Sequence, residues 1–276
     1  MRTCARALGL ALLGSLVAAA ASHSQTLRYG MEEGSSHVYT RHQRDHVVQT
    51  VEGREQTAEV ESFWRFTATV ASSSPGRVTV AIVHDSVAVE STPEIRGGTE
   101  FSSLYGKPVT IRMSTRGEVD EVSLPDTLSP AARRLDLSAA YRTFYPVLPE
   151  GNVEEGDGWA DTTRVETAQN GLDLTVVRIN RYTVGGRAST EEGEVLEVGF
   201  ESSLELEGSG SQRGSEVSLS GTGDGTGAVR FDPDSGLYLG GREETEMRMN
   251  AFVAGPTQSV LIPIVQARTE TIELVE

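Results

Sequence analysis

Three stretches of this sequence place residues that could do chemistry at recognisable spacings. The first is Asp234-Ser235-Gly236, which matches the Asp-Ser/Thr-Gly triplet of aspartic proteases. That chemistry needs two carboxylates that share one proton, and the sequence holds a single such triplet. Because Asp, Pro, Ser and Gly are the residues that turns favour, we interpret residues 232–236 as a turn. The stretch also lacks the further oxygen ligands and the bidentate glutamate of a calcium-binding EF-hand loop.

The second stretch contains His42 and His46, four residues apart, with His37 nearby. On a helix this spacing could bind a metal. The flanking residues favour a strand, which separates the two rings by ~13 Å at ~3.3 Å per residue. No third ligand follows at the spacing of a zinc site, so we expect exposed strand histidines and no metal. His84-Asp85 also lacks the serine in a Gly-x-Ser-x-Gly turn that would support a hydrolytic triad.

The third stretch is the glycine alternation Gly221-x-Gly223-x-Gly225-x-Gly227. It lacks the Lys-Ser/Thr of a phosphate-binding loop and leads into Val229 rather than into a helix. We expect a weak edge strand flanked by mobile loops over residues 208–227. The sequence therefore predicts no catalytic residue, no cofactor and no enzyme activity.

The elements around these stretches read as β-structure almost throughout. Apolar and polar residues alternate over 60–70 and 196–206, as in half-buried antiparallel strands, with glutamates forming the polar row of the second segment. Turn signals at Arg116-Gly117, Asn170-Gly171 and Gly185-Gly186 separate about a dozen strands, a spacing typical of sheets and barrels.

One segment favours a helix. Ser129 can cap it and Pro130 suits its first position, while Pro146 and Pro149 end it. We predict a helix over residues 129–145, packed on one face of a curved antiparallel sheet or open half-barrel. The fold class is mainly β.

The first residues have the features of a secretory signal peptide, with Arg2 and Arg6 before an apolar run. We expect cleavage near residue 24 and one β-rich domain over residues 25–276. Cys4 is the one cysteine, so this domain would have no disulfide or thiolate ligand. The formal net charge of −16 becomes −18 without the two arginines, which argues against nucleic acid as a partner. We expect a periplasmic or extracellular bacterial protein with no transmembrane segment after cleavage.

Two phrases carry a resemblance. One runs from Phe144-Tyr145-Pro146 to Trp159, and the other from Gly225 to Gly236. Together they resemble a family of exported bacterial proteins of unknown function. The expected architecture, a curved sheet with a helix on its concave side, is similar to the LolA and LppX/LprG lipoprotein-carrier fold. This is an analogy of fold, and it transfers no catalytic residue.

The leading hypothesis from these observations is a non-enzymatic exported protein that binds a lipid or another apolar ligand between sheet and helix. The predicted ligand-lining side chains are large and mostly aromatic: Trp64, Phe66, Leu135, Tyr141, Phe144, Trp159, Phe200 and Leu204. The alternative that they simply fill a core stays open.

Three other classes stay open as well, one of them a hydrolase, for which the sequence offers no nucleophile–base signature. The chain could be a structural or protein-interaction module of the cell envelope that uses edge strands or residues 208–227 to contact a partner protein. An outer-membrane barrel also reads as alternating strands, but the central helix and the two-sided apolar segment 78–83 argue against it.

Overall fold

The computed structural model describes residues 24–94, 100–169, 171–190, 193–212, 214–255 and 258–275. The predicted signal peptide lies almost wholly outside these ranges and stays a prediction. The strands are β1 (Gln25–Thr26), β2 (Ser36–Val51), β3 (Arg54–Ser74), β4 (Arg77–Thr92), β5 (Pro108–Ser114), β6 (Val119–Ser123), β7 (Asn152–Val153), β8 (Gly158–Gln169), β9 (Leu172–Thr190), β10 (Gly193–Gln212), β11 (Ser215–Asp232), β12 (Leu237–Ala254) and β13 (Ser259–Leu274). The helices are α1 (Pro130–Arg133), α2 (Leu137–Arg142) and a 3₁₀ turn, Ser102–Leu104.

Eleven of these strands form one antiparallel sheet in the order β6-β5-β4-β3-β2-β13-β12-β11-β10-β9-β8. The sheet curls strongly into a half-barrel, as the sequence predicted. One half of the sheet runs in chain order from β2 at the centre to β6 at one edge. The other half runs in chain order from β8 at the opposite edge to β13 at the centre. The two series meet at the centre, where His46 on β2 lies opposite Ala267 on β13. The small strands β1 and β7 pair separately.

Residues 124–157 carry the chain from one edge of the sheet to the other across its concave face. Helix α2 contacts both edge strands, β6 and β8. Two neighbouring carbonyls of this crossover segment are held from opposite sides. Val147 O accepts a hydrogen bond from Trp159 Nε1 on β8 at 2.8 Å, and Leu148 O accepts one from Arg116 Nε in the β5–β6 turn at 3.0 Å. The segment therefore links the two edges.

The prediction of one helix over residues 129–145 is wrong, because the segment contains two short helices. Ser129 caps the first as predicted, since its Oγ accepts from Ala132 N at 3.2 Å. Asp136 then takes a left-handed conformation with φ +46°, which interrupts the helical path. Its carboxylate accepts from Ala139 N at 3.3 Å and starts the second helix. Aspartate tolerates left-handed backbone better than most residues and is a preferred cap.

An aromatic core fills the space between the crossover segment and the sheet. Tyr39 donates to Tyr238 O at 2.7 Å, and its ring lies 5.4 Å from Phe144 and 5.9 Å from Phe66. The Phe66 ring is stacked on Tyr39 and the Phe144 ring meets it edge-to-face, and aromatic contacts of both kinds add to the free energy gained from burial. The core occupies the half of the sheet nearest the β3–β4, β5–β6 and β11–β12 turns, and we call the other half distal.

The predicted alternation over 196–206 is confirmed. In β10 the side chains of Leu196, Val198 and Leu204 are buried on the concave face. On the convex face, Glu201 and Glu205 are exposed to solvent. The apolar face of this strand therefore lies inside the half-barrel.

The predicted edge strand and loops over residues 208–227 are wrong. Residues 208–212 belong to β10 and residues 215–227 to β11, a long pair in the interior of the sheet with Leu204 opposite Gly223 and Phe200 opposite Gly227. The four alternating glycines lie on the concave face between larger side chains. A Cβ at Gly223 would lie 2.5 Å from Glu246 O, and one at Gly227 would lie 2.4 Å from Arg242 O. Glycine therefore marks close approach between strands, which lets the sheet curl tightly.

Three of the predicted turns have different outcomes. Gly185-Gly186 is not a turn, because β9 continues through it. The two glycines lie where the pairing of β9 with β10 changes register, between Leu196 and Val198. The turn at 232–236 is confirmed, with the Asp232 carboxylate accepting from Asp234 N at 2.9 Å. Asn170 lies outside the described residues, and the strands on either side of it pair as a hairpin.

Replacing Gly223 with valine should lower the free energy of unfolding by about 1–3 kcal/mol, since the new side chain meets a backbone carbonyl that cannot easily move. Urea unfolding followed by circular dichroism measures the change. Thr222→Val, at the adjacent exposed position on the convex face, is the control and should change stability little. Equal effects of the two substitutions would contradict the assigned role of the glycine.

Candidate functional site

A row of charged and amide side chains crosses the concave face at the boundary between the filled half and the distal half. We call it the polar belt. Its members lie on five strands and alternate in phase with buried apolar residues. They are Arg41, Gln43, Asp45, Asp161, Arg178, Asn180, Glu243, Thr245, Arg268 and Glu270.

Two carboxylates occupy the middle of the belt. Glu243 and Glu270 face each other across β12 and β13, and each has its own arginine. Arg41 approaches Glu270 to 2.6 Å, and Arg178 approaches Glu243 to 2.6 Å. Burial raises the pKa of Glu270, but Arg41 outweighs this effect through its charge and hydrogen bond, and the pKa lies below its usual value. Glu270 is therefore ionised at pH 7, and each carboxylate is paired with its own arginine rather than with the other carboxylate.

Arg178 reaches Glu243 across two intervening strands. It starts on β9, passes over the ring of Phe200 at 5.6 Å, and ends at β12. The concave positions of β11 below this path include Gly225 and Gly227, which have no side chains to obstruct it. Arg178 Nε also donates to Asn180 Oδ1 at 2.6 Å, and Asn180 Nδ2 donates to Asp161 Oδ1 at 3.2 Å. The hydrogen bonds thus connect β8, β9 and β12.

Asp45 anchors the other end of the belt. One carboxylate oxygen accepts from Arg268 Nε at 2.7 Å and from Gln266 Nε2 at 2.7 Å. The other accepts from Gln43 Nε2 at 2.5 Å. Burial raises the pKa of Asp45. The charge of Arg268 and the hydrogen bonds from Arg268, Gln43 and Gln266 lower it by more, so the pKa lies below its usual value.

One small cavity lies between the belt and the crossover segment, with a volume of about 80 Å³. Aromatic rings, including Phe144 and Tyr182, form part of its wall, and Arg178, Glu243 and Glu270 form another part. Pockets for drug-sized ligands span roughly 300–1,000 Å³ and are mostly apolar. The predicted lipid site between sheet and helix is therefore wrong, because aromatic side chains fill that space and the remaining volume is small and charged.

Seven of the eight predicted ligand-lining residues lie in two groups built around aromatic rings. Trp64, Phe66, Tyr141 and Phe144 are buried in the main core, and Leu135 packs against it partly exposed. Trp159 stacks on Tyr182 at 4.9 Å, and Phe200 lies 5.9 Å from the same ring. Leu204 is buried further along β10. A ligand contact by any of them stays an untested prediction.

His84 is buried beneath α2, where its Nε2 lies 2.8 Å from the Tyr141 hydroxyl. Its ring is 5.8 Å from Trp64. Among the described residues, His84 Nδ1 and Trp64 Nε1 are buried side-chain atoms that have no hydrogen-bond partner. Burial lowers the pKa of His84 to about 4, despite the opposing charge of Asp85. His84 is therefore neutral inside the fold at pH 7.

The other predicted features of the sequence lie outside this region. His42 and His46 are on the convex face and approach Glu61 and Glu59 at 2.6 and 3.5 Å. Within the described ranges, no cluster of three His, Cys, Asp or Glu side chains could hold a metal ion. In the same part of the chain, no helix has the length and hydropathy needed to cross a bilayer.

No protein-family model and no curated protein sequence matches this chain. Similar solved structures include OccK2 (OpdF) of Pseudomonas aeruginosa in complex with glucuronate, at 8% identity and a TM-score of 0.25, covering 89% of this chain and 100% of that one. The beta domain of the Bordetella autotransporter BrkA has 10% identity and a TM-score of 0.23, covering 87% and 100%. A BenF-like porin from Pseudomonas fluorescens has 6% identity and a TM-score of 0.23, covering 88% and 100%.

These comparisons correct the resemblance inferred from the sequence. They give porins and an autotransporter domain where lipoprotein carriers were predicted. TM-scores of this size carry no argument about what this chain does.

Sequence reasoning missed the polar belt, although a signal was present. Glu243 is in phase with the apolar residues Met247 and Met249, and Glu270 is in phase with Ile272. A charged residue on the apolar side of an alternating strand needs a partner. Arg178, which is distant in the sequence, could not be paired with Glu243 without the topology.

Beyond the belt, the concave face is apolar and half-exposed. The side chains come from at least five strands and lack the covering aromatic layer of the core. They include Val47, Val51, Leu206, Leu219, Met247, Ala251, Val253, Ile262 and Ile264. We call this surface the distal concave face.

Truncating Glu243 to alanine should lower the free energy of unfolding by about 1–3 kcal/mol, because Arg178 would keep its charge in a half-buried site without its partner. Glu244→Ala is the matched control. Glu244 lies one residue on, on the convex face, and pairs with Arg242 where both side chains are more than half exposed. Its removal should change stability by less than about 0.5 kcal/mol. Chemical denaturation measures both, and similar losses would contradict the role given to the belt.

Stability should fall as the pH drops from 6.5 towards 4, in part because of His84. The unfolded chain protonates this residue near pH 6.5, whereas the folded chain keeps it neutral down to about 4, so protons favour unfolding in this window. The full difference corresponds to roughly 3 kcal/mol. His84→Gln should reduce the pH dependence of the urea midpoint, while His46→Gln on the exposed convex face should preserve it. Burial also lowers the pKa of His37. His37 therefore contributes a smaller pH dependence of its own, which remains in both variants.

Proposed function

We propose that this chain is a non-enzymatic structural or protein-interaction module of the bacterial cell envelope, and that its distal concave face receives a protein partner. The observation that carries the proposal is the half-exposed apolar surface formed by several strands beyond the polar belt. Contiguous apolar surfaces that remain exposed are typical of interaction sites.

The distribution of charge supports a position in an aqueous compartment of the envelope. The convex face of β10 presents Glu197, Glu201, Glu205 and Glu207 to solvent. A lipid-facing barrel has the reverse arrangement, with an apolar band on the outside. The predicted signal peptide supports the same compartment.

The construction of the site favours a macromolecular partner over a small ligand. The small cavity against the crossover segment is lined in part by aromatic rings and in part by charged groups that already pair with one another. The distal concave face, in contrast, is open and broad. Strands of 16–21 residues such as β2 and β3 extend ~50–70 Å, which gives the sheet the dimensions of a protein interface.

A photo-crosslinking amino acid at position 206 tests the proposal in intact cells. Leu206 lies on the distal concave face, and the adjacent Glu207 lies on the convex face. We expect protein adducts from position 206 and few from position 207. Adducts of equal yield from both positions would contradict the assigned face. A stoichiometric small molecule in an organic extract of the purified protein, with no adduct from position 206, would overturn the proposal.

A further inference from the structure

The two edges of the sheet differ in how well they are protected against pairing with a further strand. The edge strand β6 has five residues, and its pairing with β5 shifts register between Arg112 and Met113. Short length and irregular pairing are devices that blunt an edge. The opposite edge strand, β8, has 12 residues, contains no proline or lysine, and pairs with β9 without a register shift. Strand β8 is therefore the regular and less protected edge.

The pairing of β8 with β9 shows which backbone groups face outward. Val184 N donates to Asp157 O at 2.8 Å, one residue before β8 begins. Successive residues of a strand turn their backbone groups to opposite sides, so odd-numbered residues of β8 bond to β9 and even-numbered residues face the free edge. Across the ranges that the structure describes, no hydrogen bond reaches these outward backbone groups. They belong to Ala160, Thr162, Arg164, Glu166 and Ala168.

The uncovered part of this edge carries two opposite charges. The crossover segment meets β8 near its core end, where Trp159 Nε1 donates to Val147 O at 2.8 Å. Further along the strand, Arg164 Nε and Glu166 Oε1 lie 2.9 Å apart on the convex face, with 60% and 69% of their side chains exposed. An ion pair with this exposure adds little stability, so both side chains are available to another partner.

We propose that the β8 edge pairs with the β8 edge of a second copy of this chain, antiparallel and about a two-fold axis at Val165. A two-fold contact is self-complementary, because each residue meets in the second copy the residue that meets it in return. This contact is separate from the distal concave face and from the protein partner proposed for that face.

Charge selects both the second copy and the position of the axis. Edge-facing residues must lie opposite edge-facing residues to exchange hydrogen bonds. An axis at Arg164 or at Glu166 would place like charges directly opposite each other, which destabilises a sheet. An axis at Thr163 or Thr167 would leave both charged residues opposite uncharged ones. With the axis at Val165, Arg164 of each copy lies opposite Glu166 of the other.

The other pairs in this register also match. Thr163 lies opposite Thr167 on the concave face, and cross-strand threonine pairs are favourable. Thr162 lies opposite the small Ala168 on the convex face. Each pair of edge-facing residues exchanges two hydrogen bonds, so the outward groups from Thr162 to Ala168 would all be satisfied. Because a chain with a formal net charge of −16 repels its own copies, a self-contact needs opposite charges of this kind at its centre.

Charge reversal followed by sedimentation velocity tests the pairing. Arg164→Glu and Glu166→Arg should each weaken self-association at least about tenfold, because the symmetry makes every substitution act twice. The double variant Arg164→Glu/Glu166→Arg exchanges the two charges and should associate like the unmodified chain. Arg242→Glu is the matched control, since Arg242 pairs with Glu244 two residues on, with similar exposure, in the interior strand β12. It should leave association unchanged.

A cysteine at position 165 locates the axis. In a chain with Cys4→Ser, Val165→Cys should form a disulfide with its own equivalent under mild oxidation, because cross-strand neighbours have Cβ atoms ~4.5–5.5 Å apart. Thr167→Cys should not, because its neighbour across the contact is Thr163. Thermal unfolding of each variant separates loss of the contact from loss of fold.

Three results would overturn the proposed contact. They are a monomer at every concentration, equal association of the single-reversal variants and the unmodified chain, and failure of the double variant to recover association. Photo-crosslinking from position 164 to a different protein, without self-adducts, would also overturn it and assign the edge to a strand of that protein. Crosslinking from position 206, on β10, tests the envelope module independently of this edge.

Discussion

The fold depends on the crossover segment that joins the two edges of its sheet. The eleven-stranded sheet is open between its two edge strands, β6 and β8. The crossover segment links these edges through the carbonyls of two adjacent residues. Val147 O is held from Trp159 on one edge and Leu148 O from Arg116 beside the other. The aromatic layer packs beneath this bridge because Tyr141, Phe144 and Tyr145 lie on the same segment. The link between the two edges and the formation of the core thus depend on one segment.

The polar belt explains why the concave face has two different halves. On the core side of the belt, aromatic rings fill the space. On the distal side, apolar side chains stay half-exposed. A buried ion pair adds little net stability over an apolar pair of similar size, but leaving one partner alone is costly. Breaking Arg178–Glu243 or Arg41–Glu270 therefore costs more stability than either intact pair adds to the fold. The glycines of β11 make the longer of these contacts sterically possible.

Local patterns in the sequence predicted the strands, the Ser129 cap and the turn at 232–236, since each depends on neighbouring residues. The predictions that failed depended on tertiary structure. The helix over 129–145 is interrupted by the left-handed Asp136, and residues 208–227 form central strands because the partners of the glycines come from β10 and β12. The belt could be suspected from charges in phase with apolar residues. Its pairings could not, because Arg41 and Glu270 lie at opposite ends of the chain.

The central pairing of β2 with β13 has a consequence for biogenesis. Each series of strands is built from neighbouring hairpins, whereas this one junction joins segments more than two hundred residues apart. Contacts of such sequence separation form slowly, since a long loop must close first. During synthesis, the edge of β2 that pairs with β13 has no partner until β13 has been made. An exposed strand edge is a template for wrong pairing, so a chain exported in an unfolded state would need protection at this edge until β13 arrives.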